Sequence, residues 1–298
     1  MEIPFYIVDV FAEKRYTGNQ LAVFRNAGYL STEQMQTLAQ ETNFQESTFI
    51  LSDETRNGGY DVRIFTPEYE MPFAGHPTLG TAFVIKQMLG KDKAETVVLN
   101  LKIGQVPVSQ EGETLWLRVS NPQFLTIFSA EEIAPLIGLK ADNIDINLPI
   151  EIVQTGVPFL IVKLKNLAAI KQLKFNADEI LAWMKAQKLH KSNAENGLSV
   201  SFFIFTDETE SIDNQIHARM FCYENGIMRE DPATGSANAC LLAYLLKNVA
   251  LAIDLRVEQG YEMNRPSLLK IRGKRTENNY DLQVGGSVFS VAKGVWEV

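Results

Sequence analysis

Glu46 is the side chain whose place in the sequence best suits proton transfer. It stands at the start of a largely apolar segment, residues 47–51, whose pattern predicts a strand. If the carboxylate faces a cleft of low dielectric constant, burial raises its pKa from about 4.3 and makes it a usable general acid and base. The alternative is an ordinary solvated acid at the end of a strand.

His76 and Asp231 are the next candidates, and they lie in two similar stretches, residues 72–80 and residues 231–237. Each stretch contains a proline, two further residues, a glycine and then a histidine or a serine. An all-apolar run follows each one, which is typical of a buried helix. His76 could instead only cap its helix or hydrogen-bond to a neighbour, and Asp231 could be an acid favoured by the helix dipole.

The start of a helix is also a place where an anion can bind, because its first N–H groups are unpaired and carry a partial positive charge. Gly75 permits a tight turn there, and Pro77 suits the first turn of the helix. If the two halves of the chain face each other, the two helix openings could close on one ligand. The alternative is that each stretch simply begins a core helix.

Matched fragments in the same order in both halves predict that the chain is an internal duplication. Their separation grows along the chain, as insertions into a repeated fold would produce. In this alignment Glu46 falls opposite Val200, so the fold does not require a carboxylate at that position. The matched positions are Gly18 and Gly156, Phe49 and Phe203, Arg63 and Arg219, and Gly75 and Gly235.

Hydrophobic periodicity predicts the elements that must position these residues. Ser31 is expected to cap a helix that follows the first two strands. We expect residues 1–117 and 284–298 to form one domain and residues 118–283 to form the other. The predicted strands are residues 3–11, 21–24, 47–51, 60–65, 97–101, 105–109, 115–119 and 282–289.

Composition excludes several classes of function. Among 298 residues, 46% are hydrophobic and the formal net charge is −8, which argues against nucleic acid or an anionic membrane as partner. Cys222 and Cys240 form no disulfide framework, and Cys240 is expected in the core. His190 and His217 lie in no metal-ligand spacing, and no nucleotide-binding glycine motif occurs. We therefore expect a cytoplasmic protein without metal or other cofactor.

Recognisable motifs occur at residues 18–23, 43–49, 63–70, 74–80, 231–237, 258–260 and 265–267. Together these motifs resemble the phenazine-biosynthesis PhzF-like isomerases. The resemblance covers essentially the whole chain, and the motifs occur in the family's order. It implies an α/β fold related to diaminopimelate epimerase, with two pseudo-symmetric domains. Each would be a curved, barrel-like sheet around a central apolar helix, with the active site in the cleft between the domains.

The resemblance also implies roles for single residues. Glu46 would be the catalytic acid/base, with His76 and Asp231 as its polar partners in the site. Backbone N–H groups near two pairs of residues would hold a substrate carboxylate, and the first motif adds a further substrate-binding residue. These binding residues are Gly75 with His76, Gly235 with Ser236, and Asn19.

The epimerase relatives implied by this resemblance use two cysteines as paired bases at the helix openings. Ala74 and Thr234 stand at about those places, which excludes a racemisation by two thiols. Mild departures from the family pattern at Gln20, Gln45 and Ser47 bear on the substrate rather than on the acid/base residue.

The sequence thus predicts a cofactor-independent isomerase that moves a proton on a small carboxylate-bearing substrate. One alternative is an epimerase or racemase that uses Glu46 with a second base such as Asp231. The other is a non-catalytic protein that binds a small acid. The sequence does not identify the physiological substrate, and a homodimer is one expected assembly.

Overall fold

Short apolar or alternating segments separated by turn residues make this a strand-rich chain. The computed structural model describes residues 2–88, 90, 95–277 and 279–298, which form two compact units. One unit runs to Arg118 and includes Gly285–Val298, and the other spans Val119–Val284. That residues 1–117 with 284–298 and residues 118–283 are two separate domains stays a prediction.

The strands follow one another closely along the chain. The first eight are β1 Glu2–Val10, β2 Asn19–Arg25, β3 Glu46–Ile50, β4 Tyr60–Phe65, β5 Glu70–Met71, β6 Thr96–Leu101, β7 Gly104–Glu111 and β8 Thr114–Val119. The remaining strands are β9 Gln123–Phe128, β10 Ile150–Gln154, β11 Pro158–Lys163, β12 Ser201–Thr206, β13 Ile216–Glu224, β14 Ile227–Asp231, β15 Ala252–Gln259, β16 Ser267–Arg275, β17 Tyr280–Gly286 and β18 Val288–Glu297.

Helices of unequal length connect these strands. The α-helices are α1 Thr32–Thr42, α2 Gly75–Phe83, α3 Ala130–Leu136, α4 Leu167–Ile170, α5 Ala177–Ala186 and α6 Gly235–Asn248. A π-helical segment, Val84–Met88, continues α2, and short 3-10 helices occupy Ala27–Tyr29, Ala141–Asn143 and Tyr261–Met263. Ser31 caps α1 as expected, since its hydroxyl accepts from the Gln34 N–H.

Strand pairing confirms the duplication. In the first unit the strands pair in the order β18–β1–β2–β3–β4. Strand β4 also pairs with β5 and with β6. From β6 the sheet continues through β7 to β8. The second unit repeats this order as β9–β10–β11–β12–β13. Strand β13 also pairs with β14 and with β15, and β15 pairs in turn with β16. Parallel pairs occur at matching places: β2 with β3 and β4 with β6 in the first unit, and β11 with β12 and β13 with β15 in the second.

Each unit has one nearly all-apolar helix in its core, as the sequence predicts. Every residue of α2 is buried, and α2 packs against β1, β2 and β3. A Cβ atom at Gly80 would lie 2.5 Å from Leu21, so the glycine lets the helix approach the strands closely. The α6 helix is buried over most of its length and packs against β10, β11, β15 and β16.

A second apolar layer covers the opposite face of the strands in each unit. In the first unit, α1 packs over a cluster that includes Phe24 and Phe49, whose rings stack with centroids 4.9 Å apart. In the second unit, α3 and α5 contribute to the corresponding cluster. Because both faces are covered, strands such as β11 and β12 are apolar over most of their length rather than alternating.

Two details differ from the sequence-based expectation. The segment predicted as one strand over residues 282–289 belongs to two strands, β17 and β18, which are separated at Ser287. The growing offset between the repeats comes from helices as well as loops, because α4 and α5 both lie between β11 and β12. Among the described residues, no helix combines the length and apolar composition that crossing a membrane requires.

Candidate active site

The opening of α2 has no side-chain cap. Ala74 is the N-cap residue, and its methyl group cannot accept a hydrogen bond from the first turn. Thr78 donates its hydroxyl hydrogen to the Ala74 carbonyl at 2.7 Å, which supports the turn from inside the helix. A helix that begins in this way offers its first N–H groups to other partners.

Glu46, His76 and Asn19 come together at this opening. Oε2 of Glu46 lies 3.4 Å from Nε2 of His76, and the two side chains are 15% and 5% exposed. On the other side of the ring, Nδ2 of Asn19 lies 3.4 Å from Nδ1 of His76, in a buried contact. The first unit therefore brings together four of the residues singled out in the sequence, since Gly75 immediately precedes His76.

Burial fixes the charge of His76. Loss of water around the ring lowers its pKa from 6.5 to about 3, although a hydrogen bond with the Gln20 backbone acts in the opposite direction. The imidazole is therefore neutral at physiological pH, with a proton on one nitrogen and a lone pair on the other. Such a ring can face either a carboxylate or a carboxylic acid, so the Glu46–His76 contact suits a group that gains and loses a proton.

Local sequence explains why these groups meet. Gly18 adopts a positive φ of 72° in the turn between β1 and β2, and a Cβ atom there would lie 2.4 Å from the Val10 carbonyl oxygen. Asn19 starts β2 directly after that turn, and Leu21 pairs with Glu46 at the start of β3. Both polar residues thus lie at strand ends.

The opening of α6 also lacks a side-chain cap, but it contains more polar groups. Thr234 is the N-cap residue, and its hydroxyl donates to Oδ2 of Asp231 instead of to the helix. Asp231 ends β14 and is 8% exposed. Gly235 is buried and Ser236 is half-buried in the first turn, so the second unit brings these sequence-predicted residues together as well.

Two buried amides at this second opening were not given a role by the sequence. Gln259 ends β15 and bonds to both Asp231 and Thr234, and Asn238 in α6 bonds to Gln259 and Thr234. Gln259 lies in one of the family-like motifs. The sequence signal that could have identified it is its counterpart in the first repeat, Leu101, which is apolar.

A pair of matched ion pairs holds the hairpins that lead into the two openings. Arg63 binds Glu70 through Nε at 2.8 Å and Nη2 at 2.7 Å, and Arg219 binds Glu230 with the same two distances. Glu230 directly precedes Asp231. These bidentate contacts fix the geometry of the hairpins at both arginines.

His217 is the other buried group that sequence reasoning missed. Its Nδ1 lies 2.7 Å from Glu258 and its Nε2 lies 3.1 Å from Glu262. Burial lowers its pKa, but the hydrogen bonds with the two carboxylates outweigh this and raise the pKa to about 9. The carboxylates lie on opposite sides of the ring, and no metal-ligating group of three His, Cys, Asp or Glu occurs in the part of the chain that the structure describes.

Neither cysteine stands at a helix opening. Cys240 is fully buried in α6, as predicted, and burial raises the pKa of its thiol to about 12. Cys222 lies in β13 and is half-buried. Because the N-cap positions hold Ala74 and Thr234, no thiol occupies the places where a two-cysteine racemase would need them.

Comparison with known proteins places this architecture. A trans-2,3-dihydro-3-hydroxyanthranilate isomerase of Pseudomonas aeruginosa is 30% identical over 299 residues, which cover 97% of this chain and 98% of that protein. The PhzF-family phenazine biosynthesis protein of Bacillus anthracis has a TM-score of 0.85 at 27% identity, and the match covers 100% of both chains.

A hydroxyproline epimerase of Agrobacterium vitis shares only the fold, with a TM-score of 0.61 at 10% identity over 99% of this chain and 91% of that one. The repeated units with their core helices therefore define the diaminopimelate epimerase-like class of folds. Within that class, the model of the phenazine biosynthesis-like proteins, PhzC-PhzF, matches residues 8–294, and the chain belongs to this family. The expected fold and family are confirmed.

Proposed function

We propose that this protein is a cofactor-independent isomerase that moves a proton on a small carboxylate-bearing substrate, with Glu46 as the general acid and base. The observation that carries the proposal is the contact of Glu46 with the buried, neutral imidazole of His76 at an uncapped helix opening. A partly exposed carboxylate beside a neutral ring can both accept and release a proton.

In the proposed reaction, Glu46 removes a proton from a carbon atom activated by a conjugated carboxylate or enamine. The electron pair of the broken C–H bond moves into the conjugated system, and Glu46 returns a proton to another carbon of that system. Atoms and charge balance without an oxidant or reductant. His76 supports the carboxyl group without adding a positive charge that would hold it ionised.

Binding of the substrate carboxylate is assigned to backbone N–H groups. These are the groups at Gly75 and His76 in the first unit and at Gly235 and Ser236 in the second. Both helices begin without a side-chain cap, which supports this assignment, because such N–H groups stabilise negative charge. Asn19 is proposed as a further contact.

Asp231 is proposed as a polar partner that tunes and orients the reaction. It does not carry the proton in this proposal. Replacing Asp231 with asparagine should therefore leave more activity than replacing Glu46 with glutamine.

Both the substrate class and the identity of the substrate are part of the proposal, and membership of the family supports the class. We infer a small unsaturated carboxylate, and trans-2,3-dihydro-3-hydroxyanthranilate is the first compound to test because a relative is named for its isomerisation. Gln20, Gln45 and Ser47 depart from the common pattern close to the proposed site, so related carboxylates belong in the same assay.

Glu46→Gln tests the proposal, because glutamine keeps the shape and hydrogen bonding of the side chain but cannot carry a proton. We expect normal stability and a loss of turnover of at least about 100-fold. Turnover is followed by NMR as deuterium incorporation from deuterated water. Glu33→Gln on the exposed surface of α1 makes the same chemical change away from the site and serves as the control.

The outcomes separate this proposal from its rivals. Undiminished exchange in the Glu46→Gln protein would remove Glu46 from the mechanism. Exchange with inversion at a single carbon would indicate an epimerase or racemase. Binding without turnover in the unmodified protein, unchanged by Glu46→Gln, would indicate a small-acid binding protein.

A further inference from the structure

The amide of Gln259 is completely engaged in the second unit. Its Nε2 donates to the Asp231 carbonyl at 2.8 Å and to the Thr234 hydroxyl at 3.1 Å. Its Oε1 accepts from the Thr234 N–H at 3.3 Å and from Nδ2 of Asn238 at 3.1 Å. The side chain is fully buried, and all of its hydrogen-bonding capacity is used.

Backbone partners determine which way this amide points. A peptide N–H can only donate and a peptide carbonyl can only accept, so Thr234 N–H must face Oε1 and the Asp231 carbonyl must face Nε2. The same orientation makes Nε2 a donor to the Thr234 hydroxyl oxygen. The single hydrogen of that hydroxyl is then directed to Oδ2 of Asp231, which accepts it.

The result is a chain of donors that ends on a carboxylate. A hydroxyl that donates to a carboxyl oxygen stabilises the ionised form of that group. Gln259 therefore acts on Asp231 in two ways: it holds the backbone at that residue, and it directs the Thr234 hydroxyl hydrogen toward the carboxylate.

The first unit shows that the fold does not need this arrangement. There β4 pairs with β6 as β13 pairs with β15, and the shared register puts Leu101 at the position of Gln259. The same comparison puts Ala74 at the position of Thr234, since both are N-cap residues. The core helix forms in both units, so the polar arrangement serves something other than packing.

We propose that Gln259 is a positioning residue that, through Thr234, keeps Asp231 ionised and fixed at the opening of α6. Its meaning for catalysis rests on the function proposed above, but the charge state of Asp231 can be measured without a substrate.

Two charged groups on the strands packed around this opening have partners other than Asp231. Arg219 on β13 binds Glu230, and Glu258 on β15 is held by His217. Substitutions at Thr234 and Gln259 leave all of these side chains in place.

The test is a carboxyl carbon-13 NMR titration of the full protein labelled at aspartate, with Asp231→Asn to assign the signal. Thr234→Val replaces the donating hydroxyl with a methyl group of similar size, and Thr234→Ser retains the hydroxyl as the matched control. Gln259→Leu introduces the residue that the first unit uses. We expect the titration midpoint of Asp231 to rise by about one pH unit in Thr234→Val and Gln259→Leu. It should stay within a few tenths of a unit in Thr234→Ser.

An unchanged midpoint in Thr234→Val would overturn the inference, as would equal shifts in Thr234→Val and Thr234→Ser. An unchanged midpoint in folded Gln259→Leu would overturn it as well, and if that variant does not fold, the two threonine variants still test the hydroxyl through which Gln259 acts. A purely structural role would lower stability in Thr234→Val without moving the titration. If the midpoint rises but Glu46→Gln retains proton exchange, the positioning role stands and the proposed function fails.

Discussion

At the scale of single residues, the openings of α2 and α6 differ in how they hold their polar side chains. The first keeps an imidazole neutral beside Glu46, and in the second the Thr234 hydroxyl donates to the side chain of Asp231. His76 has no charge to lose above about pH 3. Its protonation therefore does not produce a step in activity near pH 6.5, where an exposed histidine titrates.

Anion binding at the openings gives a prediction that separates backbone from side chain. Gly75 is buried at the first position of α2, so Gly75→Val should block close approach of a ligand and abolish binding. Ser236→Ala should cost only about 1 kcal/mol, the value of one hydrogen bond. Benzoate is a suitable probe, with affinities measured by calorimetry.

The reverse ranking would contradict the backbone assignment. If Ser236→Ala abolished benzoate binding while Gly75→Val had no effect, side chains rather than N–H groups would hold the anion. Circular dichroism of both variants checks that α2 and α6 remain folded.

At the scale of elements, the bidentate arginine on each central hairpin is the feature that both repeats retain. Arg219 and Glu230 are 10% and 15% exposed, whereas the Arg56–Asp61 pair has an arginine that is 75% exposed. Arg219→Lys keeps the charge but loses the two parallel hydrogen bonds. We expect it to lower the free energy of unfolding by about 1–3 kcal/mol.

Arg56→Lys is the control, and it should change stability little because exposed pairs contribute little. Urea unfolding of the two variants makes the comparison. Equal effects would show that bidentate geometry in the β13–β14 hairpin has no special value.

Periodicity could predict the elements that are strongly apolar. The helices α2 and α6 have no polar face, which only burial explains, and the sequence located both of their openings. It also found Glu46 by its lack of a counterpart in the repeat. The end of β17 at Gly286 was missed, because the apolar pattern continues into β18 across Ser287.

Polar contacts between segments that are distant in the chain could not be predicted from the sequence. Gln259 lies 21 to 28 residues from the three residues it bonds, and only the folded arrangement of strands and helix brings them together. His217 meets Glu258 for the same reason, because β13 and β15 are adjacent parallel strands. A spacing rule cannot predict such contacts without the register.

At the scale of the whole molecule, His217 makes stability depend on pH. Its pKa is about 9 in the folded protein and 6.5 when unfolded, so its contribution is full below pH 6.5 and is lost as pH rises through 9. Over this range the free energy of unfolding should fall by up to roughly 3 kcal/mol from this group alone.

Urea unfolding at several pH values between 6.5 and 9 measures this loss, and His217→Gln should flatten the dependence. His190→Gln is the control, because burial lowers the pKa of His190 and its ring stays neutral in the folded protein over that range, so it cannot cause a loss of stability as pH rises. A slope that persists unchanged in His217→Gln would assign the effect to other groups.

The buried thiol of Cys240 is a natural probe of how often the core of the second unit opens. The thiolate is the form that attacks an alkylating reagent, and a thiol with a pKa of about 12 in the middle of α6 is almost entirely protonated while the helix is closed. Labelling at this site must therefore wait for the helix to detach from its sheet. In the unmodified protein, the rate at which iodoacetamide reaches Cys240 reports how often that core opens.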